Sequence, residues 1–218
     1  MFEFDRSGLT GTSLSLSLCV CLKAGSVAGN LMIKHAHNEF PSDLFLVLET
    51  VGGRVNVMSH TGEIQQLALT QFLQSDMRGK LILSLSLPAL SSDYIVKTYK
   101  IMPRSANAHA YINAGFCARV RPDEPGRICG KPTVVFGGIR PSLIHAEETE
   151  ISLENQSLAD EKEFQRALNA LEAELNPQMD LTAPNEDYLN SVAKGLLYKV
   201  SSLIFLPPSL LLDSNYFD

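Results

Sequence analysis

The sequence predicts an α+β fold in which helices cover one face of an antiparallel sheet. Three strand-like segments come first, at 94–102, 110–120 and 133–136, and two segments with apolar residues at helical spacing follow, at 157–175 and 185–203. Strands followed by helices are typical of an α+β layer domain. The 218 residues, of which 45% are hydrophobic and 19% charged, suffice for one large domain or two small ones.

The first 22 residues differ in texture from the rest. Residues 13–22 read SLSLSLCVCL, which fits the apolar part of a signal peptide, a period-2 strand, or the translation of CT and GT dinucleotide repeats. Glu3 and Asp5 outweigh Arg6, which argues against a signal peptide and against a secreted binding protein. We interpret residues 1–22 as an atypical segment, read through from non-coding DNA ahead of a genuine exon.

Small residues and caps mark the elements that follow. Residues 26–30 have the composition of a tight loop with exposed N–H groups. Ser42 can cap a helix over 44–50, and Gly52-Gly53 is a stop signal for that helix. Alternation predicts strands at 54–57 and 81–87.

The second half begins at a polar joint, Ser91-Ser92-Asp93. The three strands named above follow it, with an exposed hairpin loop at 122–125. Ser157 can cap the first of the two helices, and Asn176-Pro177 ends that helix. The helices are expected to cover one face of the sheet.

Composition excludes two classes of partner. Acidic residues outnumber basic ones, 24 against 18, for a net charge of −6. Non-specific binding of nucleic acid or of an anionic membrane surface needs clustered positive charge, so neither partner is expected. The apolar stretch 196–212 is interrupted by Lys199 and Pro207-Pro208, so we expect no transmembrane helix.

Patterns typical of metal sites and catalysis are weak. His35-Ala36-His37 resembles a metal pair, but exposed loop histidines are the simpler interpretation. His109 and His145 are isolated, and the acidic stretch 147–154 is interpreted as a solvated surface. The sequence contains no Ser-His-Asp order, P-loop or dinucleotide fingerprint. The four cysteines lack zinc spacing, so we expect reduced thiols and a cytoplasmic location.

Two places are candidates for ligand binding. The small residues of 26–30 would let pyrophosphate oxygens approach the backbone N–H groups, and Ser26 and Asn30 add polar side chains. An ordinary turn has the same composition. Ser42-Asp43 either bind ribityl hydroxyls or simply cap a helix. The pattern alone leaves both alternatives open at both places.

The order of three segments resembles the flavin segment of animal aldehyde oxidases and xanthine dehydrogenases. These segments are AGSVAGNLMIKHAHNEFPSDLFLVLETVGGRVNV, YKIMPRSANAHAYINAGFCARV and VVFGGI, and the resemblance runs from about Lys23 to Leu206. It implies part of a vanillyl-alcohol-oxidase-type (PCMH-type) FAD-binding subdomain followed by a CO dehydrogenase flavoprotein C-terminal domain. In this family FAD takes electrons from a molybdenum centre through iron–sulfur clusters and passes them to an acceptor.

The resemblance also implies cofactor-binding residues. The family's pyrophosphate loop S-V-G-G-N corresponds to Ser26, Val27, Ala28, Gly29 and Asn30, with Ala28 in place of a glycine. The family's Ser-Asp pair beside the ribityl chain corresponds to Ser42 and Asp43, and a lysine of the second domain to Lys100. Asn107 stands where xanthine dehydrogenases have an acid, so acceptor preference is not carried over. No catalytic or metal-binding residue is expected, because substrate oxidation belongs to the molybdenum domain.

Several family features are missing from the sequence. Nothing matches the earlier loop V-x-G-N-T-x-x-G, which holds the other side of the pyrophosphate, and the iron–sulfur and molybdopterin domains are absent. We therefore expect a fragment that binds FAD weakly or not at all by itself. The intact family's partners are the iron–sulfur and molybdopterin domains and a homodimer mate. The alternative is a non-catalytic remnant that acts as a protein-interaction module.

The expected organisation has four parts. Residues 1–22 are the atypical segment, and 23–90 are the C-terminal part of a PCMH-type FAD-binding domain. Residues 94–206 are the CO dehydrogenase flavoprotein C-terminal-like domain, and 207–218 form a tail.

Overall fold

A computed structural model describes residues 25–104, 109–121, 123–124, 126–175 and 185–204. The segment 1–22, the tail 207–218, Asn107, both prolines of the 122–125 loop and the helix end at Asn176-Pro177 lie outside the described residues.

The described elements form two lobes along the chain. The first lobe contains α1 (Val27–Ala36), α2 (Asp43–Thr50), β1 (Arg54–Ser59), β2 (Ile64–Ala68), α3 (Leu69–Gln74) and β3 (Lys80–Ser86). The second lobe contains β4 (Tyr94–Ile101), β5 (Ile112–Val120), β6 (Ile128–Gly137), β7 (Ile144–His145), α4 (Glu147–Leu153), α5 (Glu161–Leu175) and α6 (Glu186–Ile204). The order of strands and then helices in the second lobe confirms the predicted α+β class.

In the first lobe, three helices pack on an antiparallel sheet of strand order β2-β1-β3. Val55 of β1 pairs with Leu67 of β2 and Leu85 of β3, which places apolar residues of all three strands on one face. That face packs against Leu31, Phe45 and other buried helix residues. The strands predicted at 54–57 and 81–87 and the helix at 44–50 are confirmed.

The loop expected at 26–30 is wrong, because this segment begins helix α1. The Ser26 side chain accepts a hydrogen bond from Gly29 N at 3.0 Å and caps the helix. Val27 and Leu31, four residues apart and therefore on one helix face, pack into the lobe's core. Small residues suggest a loop when they are read alone, and tertiary packing overrides that preference here.

In the second lobe, the antiparallel sheet has strand order β4-β5-β6-β7. One face carries Ile112, Ala114 and Phe116 of β5 into a core formed with α4, α5 and α6, so the expected helix cover is present. The third strand begins at Ile128, five residues before the predicted Thr133.

Two local predictions in this lobe are wrong. Asp160, and not Ser157, caps α5, because its Oδ1 accepts a hydrogen bond from Lys162 N at 2.9 Å. The backbone of Ser157 instead forms an isolated antiparallel β-bridge with that of Arg127. The acidic stretch is also not wholly solvated, since it forms α4 and its Glu150 is only 4% exposed.

Helix α2 lies between the two sheets and packs on both. Phe45 belongs to the first lobe's core, whereas Thr50 packs against Gly115 of β5 in the second lobe. A Cβ at Gly115 would come within 1.8 Å of Thr50 Oγ1, so only a glycine allows this approach. Leu143, which follows β6, also packs against the first lobe's core. The lobes are therefore joined by shared packing as well as by the chain.

Among the described residues, no helix combines the length and the apolar character that a membrane crossing requires.

Candidate functional site between the lobes

The N-terminus of α1 forms one end of the candidate site. Ser26 and Gly29 are exposed there, and the first turn contains no acidic residue. The Ser26 side chain engages Gly29 N, but the N–H groups of Val27 and Ala28 lie in the first turn, where a helix provides no backbone acceptor. This helix end therefore presents donors and a positive dipole end to solvent.

Asn30 connects the start of α1 to the start of α2. Its Oδ1 accepts a hydrogen bond from Ser42 Oγ, and Ser42 Oγ accepts one from Phe45 N at 3.0 Å. Ser42 is only 4% exposed. Its hydroxyl is thus committed to the cap and to Asn30, so its role in this structure is to hold two helix starts together.

Asp43 connects the first lobe to the second. Its Oδ2 accepts a hydrogen bond from Lys100 Nζ at 2.6 Å, and its Oδ1 accepts one from Asn113 Nδ2 at 3.1 Å. Lys100 lies on β4 and Asn113 on β5, directly opposite each other. The side chains of Lys100 and Asp43 are 23% and 21% exposed, so the ion pair is accessible from solvent at its edge.

The structure brings six of the seven sequence-predicted site residues into one run of contacts. That run contains Ser26 with Gly29 and Asn30 at the start of α1, and then Ser42, Asp43 and Lys100. Gly29 is exposed. Val27 instead packs into the first lobe's core, so its side chain serves the helix rather than the site.

Asn113 belongs to the same network and was not predicted. Its position in the segment INAGF gives only one signal, a polar residue in an apolar strand. That signal cannot identify Asp43, 70 residues away in sequence, as its partner.

A second polar cluster ties the lobes together at the far end of α2. His145 Nε2 lies 2.8 Å from Glu49 Oε1, and His145 Nδ1 lies 3.6 Å from Glu150 Oε1. Glu150 also accepts a hydrogen bond from Val134 N and pairs with Lys131 at 3.1 Å. Glu150 and then Glu49 raise the pKa of His145 to about 9, against an opposing effect of burial. The sequence suggested that His145 is isolated, and this prediction is wrong.

The histidine pair at 35 and 37 does not form a metal site. His35 Nε2 is bonded to Ser75 O at 2.7 Å, and His37 Nδ1 lies 3.2 Å from Glu39. His35 is half-buried, which corrects the expectation of two exposed loop histidines. In the part of the chain that the structure describes, no group of three His, Cys, Asp or Glu residues could hold a metal ion.

The groups gathered between the lobes include both hydrogen-bond donors and hydrogen-bond acceptors. The start of α1 offers N–H donors to an anion, and the Asp43 carboxylate offers acceptors to hydroxyl groups. Lys100 adds a positive charge at the edge of the second lobe.

Comparisons with known proteins point to one family. Residues 97–203 match the CO dehydrogenase flavoprotein C-terminal domain. The chain is 31% identical over 198 residues to an indole-3-acetaldehyde oxidase from Arabidopsis thaliana, a match that covers 88% of this chain and 14% of that protein. The chain thus spans about 14% of the length of the curated relatives it matches.

Two solved structures share the fold. Carbon monoxide dehydrogenase from Hydrogenophaga pseudoflava matches with a TM-score of 0.67 and 16% identity, over 81% of this chain and 59% of that chain. Quinoline 2-oxidoreductase from Pseudomonas putida 86 matches with a TM-score of 0.67 and 17% identity, over 84% of this chain and 63% of that chain.

Proposed function

Because residues 97–203 belong to the CO dehydrogenase flavoprotein C-terminal domain family and the chain is homologous to indole-3-acetaldehyde oxidase, we propose that it is the FAD-binding, electron-transferring portion of a molybdenum–flavin oxidoreductase. The observation that carries the proposal is the family match of the second lobe together with the Asp43–Lys100 pair that joins this lobe to the first. Aldehyde oxidases and xanthine dehydrogenases are the enzyme type to which we assign it.

The start of α1 fits a pyrophosphate. A diphosphate group carries negative charge, and helix N-termini bind such groups through backbone N–H donors and the helix dipole. The first turn of α1 has no carboxylate to repel the group. In this proposal Ser26, Gly29 and Asn30 face the pyrophosphate, while Val27 contributes its backbone.

The pair Asp43–Lys100 fits the polyol and ring portions of FAD. Each Asp43 oxygen accepts one hydrogen bond from a residue of the second lobe. A carboxylate oxygen can accept a second hydrogen bond, which a ribityl hydroxyl could donate. Ser42 supports Asp43 from its cap position, and Lys100 places a positive charge beside the cofactor. When bound, FAD would supply the redox chemistry by taking up an electron pair, and this chain would hold and orient it.

The proposed organisation follows the expected domains. Residues 23–90 contribute one side of the pyrophosphate site, and residues 94–206 contribute Lys100 beside it. The partners we assign are FAD, iron–sulfur and molybdopterin domains, and a homodimer mate.

The direct test is a titration of the isotopically labelled chain with FAD, followed by NMR. We expect weak binding, with chemical-shift changes at the backbone amides of residues 26–30 and near Lys100. Riboflavin, which lacks the pyrophosphate, is expected to shift only the signals near Asp43 and Lys100. Unchanged signals of residues 26–30 at about 1 mM FAD, a concentration that detects even a millimolar site, would contradict the proposed site.

A charge introduced into the first turn of α1 sharpens the test. Ala28→Asp should weaken FAD binding by about tenfold, because a carboxylate there repels the pyrophosphate. It should not weaken the fold, since acidic residues stabilise helix N-termini. Ile33→Asp is the matched control, because Ile33 is exposed on the same helix, beyond its first turn. Equal loss of FAD affinity in both variants would count against a pyrophosphate at the α1 terminus.

A second candidate function is that of a protein-interaction module. Ile64 and Leu81 are 61% and 59% exposed, and both lie directly opposite Met58 across the first lobe's sheet. An exposed apolar row of this kind is typical of an interaction surface. Absence of FAD binding combined with specific association through this row would favour this candidate.

A further inference from the structure

The Asp43 carboxylate is held from two sides by the second lobe. Lys100 Nζ donates a hydrogen bond to Oδ2 at 2.6 Å, and Asn113 Nδ2 donates one to Oδ1 at 3.1 Å. The two donors are opposite each other in the β4–β5 ladder, and directly opposed side chains share a face of the sheet. One carboxylate at the start of α2 can therefore reach both of them.

The two donors differ in freedom. Lys100 ends in a flexible ammonium group, and 23% of its side chain is exposed. Asn113 is only 2% exposed. A lysine alone would follow the carboxylate through several rotamers, whereas a buried amide allows only one arrangement. Asn113 is thus the donor that fixes where the Asp43 oxygens point.

Gly137 provides the space in which the Asn113 amide lies. Gly137 is opposite Asn113 in the β5–β6 ladder, and a Cβ at Gly137 would stand 2.2 Å from Asn113 Oδ1 and 3.3 Å from Cγ. Any larger residue would displace the amide. Oδ1 has no hydrogen-bond partner among the described residues, and Asn113 lines a small cavity together with Ser42 and Arg140. The amide is therefore oriented by its bond to Asp43 and by the glycine beneath it.

We propose that Asn113, resting on Gly137, is a positioning residue that orients the Asp43 carboxylate to accept hydrogen bonds from the ribityl hydroxyls of FAD. This inference depends on the proposed FAD function. Asn113 acts through Asp43. Its effect on FAD therefore requires the carboxylate to remain at position 43.

The first experiment compares Asn113→Ala with Asn56→Ala. Asn56 is a matched control, because it also lies on a strand and bonds neighbouring side chains, Ser84 and Ser86, but in the other lobe's sheet. We expect Asn113→Ala to weaken FAD binding by about tenfold, as the loss of a hydrogen bond to a charged group does, and Asn56→Ala to leave it unchanged. FAD affinity within twofold of wild type in Asn113→Ala would overturn the inference.

An exchange of the two side chains tests whether the carboxylate must stand at position 43. The double variant Asp43→Asn/Asn113→Asp keeps an amide–carboxylate pair and leaves a carboxylate opposite Lys100. We expect it to recover the urea midpoint that Asn113→Ala loses, while FAD binding stays as weak as in Asn113→Ala. Recovery of both the midpoint and the FAD affinity would show that the position of the carboxylate is irrelevant, and the inference would fall.

A measurement on the wild type covers the case in which a variant does not fold. The side-chain amide protons of Asn113 should exchange with solvent at least about tenfold more slowly than those of Asn56, because they are buried and bonded to Asp43. Similar exchange rates would contradict the fixed amide. If the wild type binds no FAD, the proposed function fails; if it binds FAD and Asn113→Ala binds equally well, only this inference fails.

Discussion

His145 lies between two carboxylates that come from different lobes. Glu49 is on α2 and Glu150 is on α4, and their side chains are 12% and 6% exposed. Burial works to raise the pKa of Glu150, but His145, Val134 N and Lys131 together outweigh it and the pKa is lowered. The cluster is therefore charged at neutral pH, with the imidazolium as its centre.

This residue predicts how stability depends on pH. The pKa of His145 is about 9 when folded and about 6.5 when unfolded, so the folded state binds the proton more tightly. The stabilisation is complete below pH 6.5 and is lost as the pH rises to about 9, on the order of 2 kcal/mol. Urea unfolding between pH 6 and pH 9.5 measures it.

His145→Gln should flatten that dependence, because glutamine does not titrate. His60→Gln is the matched control, since His60 is exposed on a turn of the first lobe. Parallel pH profiles for wild type and His145→Gln would show that the Glu49–His145–Glu150 cluster does not stabilise the folded state.

At the scale of elements, α2 packs closely against both lobes. Phe45 is fully buried in the first lobe's core, and Thr50 is 1% exposed against β5. Thr50 Oγ1 donates to Leu46 O at 2.7 Å, and this hydrogen bond holds the side chain in the orientation that faces Gly115. The contact between α2 and β5 thus depends on the missing side chain at position 115.

Gly115→Ala should destabilise the protein by about 2 kcal/mol, because the added methyl group overpacks the contact with Thr50. Thr50→Ala in the same chain should restore part of the loss. Gly195→Ala is the control: Gly195 is exposed in α6 with no atom within 4 Å of its added Cβ, and alanine there should stabilise by about 0.5–1 kcal/mol. Urea midpoints compare the three variants, and an unchanged midpoint in Gly115→Ala would refute the close packing.

At the scale of the whole molecule, local signals predicted most elements and few partnerships. Ser42 as a cap and the alternation around Val55 are local, and both predictions are confirmed. The helix at 27–36 was missed because its apolar face becomes apparent only against the core. The pairing of Glu49 with His145 joins residues 96 apart in sequence, and no local pattern identifies such a contact. Residues 26–30 and Ser42-Asp43 were already candidates from their composition, with an ordinary turn and a helix cap left open, whereas Lys100 was assigned only through the family resemblance.

The first lobe leaves an apolar row on the outer face of its sheet. Ile64, Met58 and Leu81 are directly opposed across β2, β1 and β3, and in the described sheet both β2 and β3 are edge strands. Apolar faces and free strand edges favour association between chains.

We therefore expect concentration-dependent association, which Ile64→Lys should reduce by placing a charge in the row. Ile151→Lys is the matched control, because Ile151 is 54% exposed on α4 of the other lobe. Sedimentation velocity over a concentration series measures both variants. If both Ile64→Lys and Ile151→Lys associate as strongly as the wild type, the apolar row does not cause the association.

The position of α2 has a consequence for dissecting the chain. The joint at Ser91-Ser92-Asp93 separates the two lobes along the sequence. The lobes still stabilise each other, because α2 and Leu143 each pack against the other lobe. A gene cut at this joint would release a second lobe whose Gly115 face is bare, and a first lobe without Leu143. The smallest unit that folds cooperatively is thus expected to span both lobes. The joint between the lobes in the sequence is therefore not a boundary between independently stable units.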